Sequence, residues 1–105
     1  MKLRIHGQQL RIRTDPEEMR NLASAGFIED RIALGPNRAL IYRLSIATYE
    51  QAIRVAFEDN LIEVRLPEEA ARRWCSTDLI GLTGTQQNGP VELTIAVEKD
   101  FDPSK

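Results

Sequence analysis

Five side chains near the start of the sequence have the chemistry to hold an anion: Lys2, Arg4, His6, Arg11 and Arg13, with no acid among residues 1–13. Arginine presents a planar fork of donors that matches phosphate and carboxylate oxygens, and also the acceptor edge of guanine. Lysine adds a compact point charge, and imidazole adds ring nitrogens for hydrogen bonding. Together they would give a salt-dependent contact with a nucleic-acid backbone or with an acidic protein surface. The same residues on a solvated strand would also discourage edge-to-edge aggregation. All three readings are open at the level of sequence.

The rest of the chain does not share this charge. It has 105 residues, 14 Lys+Arg against 16 Asp+Glu, and a formal net charge of −2. Residues 1–50 carry eight basic and six acidic side chains, whereas residues 51–105 carry six and ten. A protein that coats nucleic acid is expected to be strongly basic, so that class is disfavoured and any contact must be local.

Catalytic chemistry finds fewer candidates. His6 and Cys75 are the only residues of their kinds, so no His/Cys cluster exists for zinc. There is no dinucleotide-binding glycine motif, Walker loop or nucleophile elbow. Catalytic, cofactor-binding and metal-binding residues are therefore assigned to none. Cys75, beside Trp74 at the end of an expected helix, reads as a small, partly buried residue. Glu98, Asp100 and Asp102 alternate near the end and could hold Mg²⁺ or Ca²⁺. That gives an alternative reading, a small metal-assisted enzyme, set against a plain solvated acidic tail.

The elements that must position these groups can be read from periodicity. Lys2 to His6 and Leu10 to Arg13 alternate apolar and basic residues, the signature of half-buried strands. Gly7-Gln8-Gln9 can close them into a hairpin that places all five basic side chains on one outer face. Asp15-Pro16-Glu17-Glu18 is a capping-box helix start, with Gly26 as the stop. Phe27–Leu34 and Leu40–Ile46 read as strands around the turn Gly35-Pro36-Asn37. The pattern then begins again. Ile53–Phe57 and Ile62–Leu66 flank the turn Glu58-Asp59-Asn60, and Pro67-Glu68-Glu69 opens a second helix. Leu79–Leu82 begins a strand, Gln86–Pro90 makes a turn, and Val91–Val97 alternates to the end. Trp74, Tyr42, Phe27 and Phe57 are the large fillers expected in a modest core.

Each half thus reads ββαββ, with internal repeats at about 1–48 and 51–99 and a frayed tail over 100–105. Leu10-Arg11-Ile12-Arg13 matches Ile62-Glu63-Val64-Arg65, and Pro16-Glu17-Glu18 matches Pro67-Glu68-Glu69. Asp30–Leu34 aligns with Asp78–Leu82, and Leu40–Ile46 with Val91–Val97. The expected fold is α+β and mostly antiparallel, with up to eight strands and two short helices. About 50 residues bury too little apolar surface to fold alone, so the two repeats should share one barrel-like core within a single domain, 1–105.

These residues carry two resemblances. The run Gly7-Gln8-Gln9-Leu10-Arg11-Ile12-Arg13, then Pro16-Glu17-Glu18 and Asp30-Arg31-Ile32-Ala33-Leu34, resembles the swapped-hairpin AbrB/MazE-type fold, as does Asn60–Glu69 followed by Asp78–Leu82. That resemblance implies hairpins exchanged around a barrel-like core, and arginines presented to DNA. The second half departs from it by placing Glu58, Asp59 and Glu63 where basic residues would be needed. The ending Glu98-Lys99-Asp100-Phe101 resembles a small bacterial family of unknown function, which implies no activity. The expected molecule is a noncatalytic bacterial binding or regulatory module without cofactors. Its partners would be nucleic acid or an acidic protein, and its state a pseudo-two-fold monomer or a homodimer. The single cysteine, with no apolar leader or bilayer-length run, leads to an expected cytoplasmic location without membrane contact.

Overall fold

Turn and cap chemistry sets the hairpins and the first helix in the computed structural model, which describes residues 1–101. Strands β1 (Lys2–His6) and β2 (Gln9–Thr14) meet at a two-residue turn whose Gly7 sits at φ 58°, a value glycine adopts without a Cβ penalty. Helix α1 (Pro16–Ala25) begins with the full capping box. The Glu18 N–H donates to Asp15 Oδ1 at 2.8 Å, and the Asp15 N–H donates to Glu18 Oε1 at 2.9 Å. Gly26 closes the helix, its N–H donating to the Leu22 carbonyl at 2.9 Å. Strands β3 (Phe27–Gly35) and β4 (Arg38–Ala47) form the next hairpin. Strands β5 (Arg54–Glu58) and β6 (Leu61–Pro67) turn at Asp59-Asn60, whose φ values of 50° and 64° suit the twist of a tight hairpin. Helix α2 (Glu68–Ser76) leads to β7 (Gly81–Asn88) and β8 (Val91–Lys99).

The chain is mostly β with two helices, and the strands form two four-stranded sheets in the orders β1-β2-β8-β7 and β3-β4-β6-β5. Each sheet takes one hairpin from each half of the chain. The hairpins are antiparallel internally, but they join through the parallel pairs β2·β8 and β4·β6. The mostly antiparallel barrel expected from the sequence is corrected to two mixed sheets that do not close. Direction explains the first change, because a strand supplied by the other half is under no obligation to run antiparallel to its neighbour.

A side chain explains part of the second. The edges of the two sheets approach at β5 and β7, yet the bridge there is the buried carboxamide of Gln86. Its Oε1 accepts the Val55 N–H at 2.7 Å, and its Nε2 donates to the Val55 carbonyl at 3.0 Å. Gln86 thus occupies the place a neighbouring strand's backbone would take. It belongs to β7 and not to the expected Gln86–Pro90 turn, where only Gly89-Pro90 lies between the paired residues Asn88 and Val91. On the edge strand β3 of the other sheet, Ile32 is 49% exposed and can make no such bridge.

The core draws on both halves at once: Ile12 and Leu22 from the first pack in one cluster with Val64, Leu66, Trp74 and Ile95 from the second. Trp74 is the largest fully buried side chain, and its indole N–H donates to the Ile80 carbonyl at 2.9 Å. The same carbonyl also accepts the Lys99 N–H at 2.9 Å, and β7 starts at Gly81 instead of Leu79. The expected aromatic core is otherwise corrected. Phe57 is 70% exposed, Phe27 lies under the Arg43 guanidinium, and Tyr42 is half-buried. At the start of the tail expected to fray, the Asp100 N–H donates to the Thr14 carbonyl at 2.8 Å and so prolongs the β2·β8 ladder. Residues 102–105 of that tail lie outside the described residues.

Two outcomes follow from this packing. Residues 1–48 or 51–101 expressed alone should give poorly dispersed NMR spectra as monomers, and mixing the two should restore the dispersed spectrum. Gln86→Ala should lower stability by about 2 kcal/mol in urea unfolding, because both Val55 backbone groups lose their partner.

Candidate functional site

The β1–β2 register decides where the basic residues point. Lys2 pairs with Arg13, Arg4 with Arg11, and His6 with Gln9, so all five sequence-selected side chains share one sheet face. Leu3 and Ile5 pair with Ile12 and Leu10 on the opposite face, where Leu10 and Ile12 are buried. The common face is therefore the outer one, and period-two alternation was enough to find it.

The neighbouring strand modifies that face. In register with β2, strand β8 sets Thr94 beside Gln9, Ala96 beside Arg11 and Glu98 beside Arg13. Glu98 Oε1 accepts the Arg13 Nε–H at 2.9 Å and lies 3.5 Å from Arg11 Nε. Lys2 Nζ meets Asp100 Oδ2 at 2.9 Å. One end of the face is thus charge-matched. At the other end, Arg4 and His6 form no ion pair among the described residues. A shallow depression of about 130 Å³ opens there, lined by Arg4, His6, Gln9, Leu10, Arg11, Thr94 and Ala96.

This arrangement has an energetic cost. Like charges directly opposite each other in an antiparallel pair are destabilising, and two such pairs sit side by side. Carboxylates relieve Lys2/Arg13, while Arg4/Arg11 has only the long Arg11–Glu98 approach. What the depression offers chemically is a cluster of donors: two guanidinium groups, an imidazole, a carboxamide and a hydroxyl, with the small Ala96 beneath.

Sequence reasoning did not connect Glu98 and Asp100 with this face; it treated them as possible cation ligands. Both carboxylates are engaged by basic residues of β1 and β2, and no cluster of three or more potential metal ligands occurs among the described residues. Asp102 lies outside those residues. The alternation of Glu98 with Asp100 was visible, but the parallel partner that makes them counterions was not.

The outer face of the second sheet has the opposite character. Arg43 Nε meets Glu29 Oε1 at 2.8 Å, Arg65 Nε meets Glu63 Oε1 at 2.7 Å, and Ser45 Oγ donates to Glu63 Oε2 at 3.1 Å. Arg43 and Arg65 also stack over Phe27 and Tyr49, each 5.7 Å from the ring centre. These central charges satisfy one another, while Arg31 and Arg54 at opposite corners of the same face form no ion pair among the described residues. Burial alone would raise the Glu63 carboxyl, but hydrogen bonds from Arg65 and Ser45, with the charges of Arg65 and Arg43, hold it below its ordinary value.

A separate, mainly apolar cavity of about 300 Å³ lies between α1 and the end of β8, lined in part by Met19, Cys75 and Phe101. Burial pushes the Cys75 thiol up, against the smaller effects of Arg72 and Lys99, so it stays protonated and unreactive near neutral pH. No helix is long and apolar enough to cross a membrane among the described residues.

The chain matches the model of a family of unknown function, DUF7009, over residues 1–103, and it belongs to that family. No curated protein and no solved structure matches it, so the swapped-hairpin resemblance has no counterpart there.

The Glu63 network has a pH signature. A carboxyl held low in the folded state contributes stability that is present above its unfolded value, about 4.3, and is lost as pH falls through the lower folded value. Glu63→Gln should therefore cost up to about 1 kcal/mol at pH 7 and flatten the loss of stability below about pH 4. Urea unfolding at a series of pH values checks both.

Proposed function

We propose that this chain is a noncatalytic binding or regulatory module that docks an acidic protein partner on the face formed by Lys2, Arg4, His6, Arg11 and Arg13. The observation that carries the reading is the contrast between the two outer faces. One gathers Arg4 and His6, neither in an ion pair among the described residues, around a depression, while the other pairs Arg43 with Glu29 and Arg65 with Glu63 and leaves Arg31 and Arg54 at opposite corners of the sheet. A local rule of sheet stability is broken at Arg4/Arg11, and such violations concentrate at functional sites.

The extent of the face favours an acidic protein over a nucleic-acid backbone. A duplex presents a long, regular track of phosphates and rewards an equally long track of cations. Here Glu98 and Asp100 interrupt the track, and Glu92 stands on the same side of β8. The basic patch matches a few carboxylates at close range.

The same reading includes an internal duplication. Mapping β1–β4 onto β5–β8 converts one sheet order into the other, including the parallel joint. That mapping equates Leu10 with Ile62, Ile28 with Leu82, and Leu44 with Val97. It shifts the second-hairpin alignment suggested by sequence likeness, which had set Asp30–Leu34 against Asp78–Leu82. Hairpins exchanged between halves are what the AbrB/MazE resemblance implies, here within one chain. The duplication also accounts for the asymmetry: Arg11 on the binding face corresponds to Glu63, and Arg4 to Ala56.

Fluorescence titration with polyglutamate and with duplex DNA, each at low and moderate salt, tests the proposal. Polyglutamate should bind at low salt and weaken as salt rises, with Arg4→Gln lowering the affinity. No binding of polyglutamate at low salt overturns the reading, and tighter binding of DNA replaces the protein partner with a nucleic acid. Glu98→Gln should strengthen polyglutamate binding several-fold, because it frees Arg11 and Arg13.

A further inference from the structure

We infer that the depression at the uncompensated end of this face is a subsite for one phosphate monoester, carried on a phosphorylated side chain of the acidic partner. The inference rests on the acidic-partner reading and narrows it to a particular group at a particular place.

The argument starts from the donors. Arg4 and Arg11 stand directly opposite each other on adjacent strands, and His6 and Gln9 form the next rung toward the turn. Thr94 lies beside Gln9, and Ala96 lies beside Arg11. The side chains facing this hollow are therefore donors, apart from the short methyl at its floor. Arg11 approaches Glu98 through Nε at a long 3.5 Å, against 2.9 Å for Arg13, so that carboxylate engages Arg13 more closely than Arg11. Arg4 has no acidic neighbour with which to pair among the described residues.

Two features separate phosphate from carboxylate. The first is the number of donors. A carboxylate offers two oxygens and can satisfy one guanidinium bidentately, whereas a phosphate monoester offers three terminal oxygens and close to two negative charges. Two guanidinium groups from opposite sides, with an imidazole and a hydroxyl between them, match a tetrahedral group. The second is shape. A shallow hollow of about 130 Å³ between the two arginines suits a compact anion. Where this sheet does use carboxylates, at Glu98 and Asp100, they lie over the neighbouring rung and leave the hollow open.

The contrast with the second sheet supports a purpose-built site. There the places of Arg4 and Arg11 are taken by Ala56 and Glu63, a cross-strand pair with no charge conflict. The conflict in the first sheet is resolved when a dianion enters between the two arginines.

The test uses the full chain and two probes. In an NMR titration with inorganic phosphate at constant ionic strength, saturable shifts should be confined to Arg4, His6, Gln9, Arg11, Thr94 and Ala96, and chloride should not reproduce them. An acidic peptide bearing one phosphoserine should bind about tenfold more tightly than its unphosphorylated form, the effect of one strong charge-assisted contact. Ala96→Leu fills the floor of the depression without altering charge. It should abolish the phosphoserine advantage, bringing the two peptides to equal affinity for that variant. Equal affinity for the two peptides, phosphate shifts that fail to saturate, or an Ala96→Leu variant that retains the advantage each overturns the subsite. If polyglutamate still binds in those cases, the acidic-partner reading stands without it; if it does not, both fall. Circular dichroism of each variant confirms that the fold is kept.

Discussion

The two parallel joints, β2 against β8 and β4 against β6, are the constraint on which the rest of this structure depends. Each connects a hairpin from one half of the chain to a hairpin from the other. Without them every hairpin would be an isolated two-stranded ribbon, marginal in water. With them, Ile12 and Leu44 of the first half can be buried in the same cluster as Val64 and Val97 of the second. The helices complete the arrangement: α1 contributes Leu22 and α2 contributes Trp74 to that one core. Neither half has an inside of its own.

The same joints create the candidate site. Strand β8 brings Thr94, Ala96 and Glu98 alongside a hairpin that lies far away in sequence. Glu98 neutralises one rung of basic residues, and Ala96 leaves a hollow at the next. A bulky residue at 96 or a second acid near Arg4 would have produced an ordinary ion-paired surface like that of the other sheet. The local electrostatics are therefore a product of strand exchange, and the overall charge of −2 conceals them.

Where the sequence was misread, the cause is identifiable in particular residues. Gln86 is polar and sits in a run with Gln87, Asn88, Gly89 and Pro90, so local chemistry indicates a turn. Its burial follows only from the proximity of β5, whose Val55 backbone it satisfies. Phe57 has the composition of a core residue and an exposed position, because β5 is an edge strand and this residue lies near its turn. In each case a long-range partner outweighed a correct local preference.

Local physics was sufficient for much of the rest. The capping box at Asp15 and Glu18, the glycine stop at Gly26, the hairpin turns at Gly7 and Asn60, and the shared face of Lys2, Arg4, His6, Arg11 and Arg13 all follow from near-neighbour interactions and the two-residue period of a strand. Those are fixed within a few residues of chain, and a sequence displays them directly. The sheet orders, the parallel direction of their central joints, the open edges, and the choice of Glu98 and Asp100 as counterions were decided only by the tertiary structure. They depend on which distant strands meet and in what register, a balance of core burial against loop closure that no short window of sequence contains.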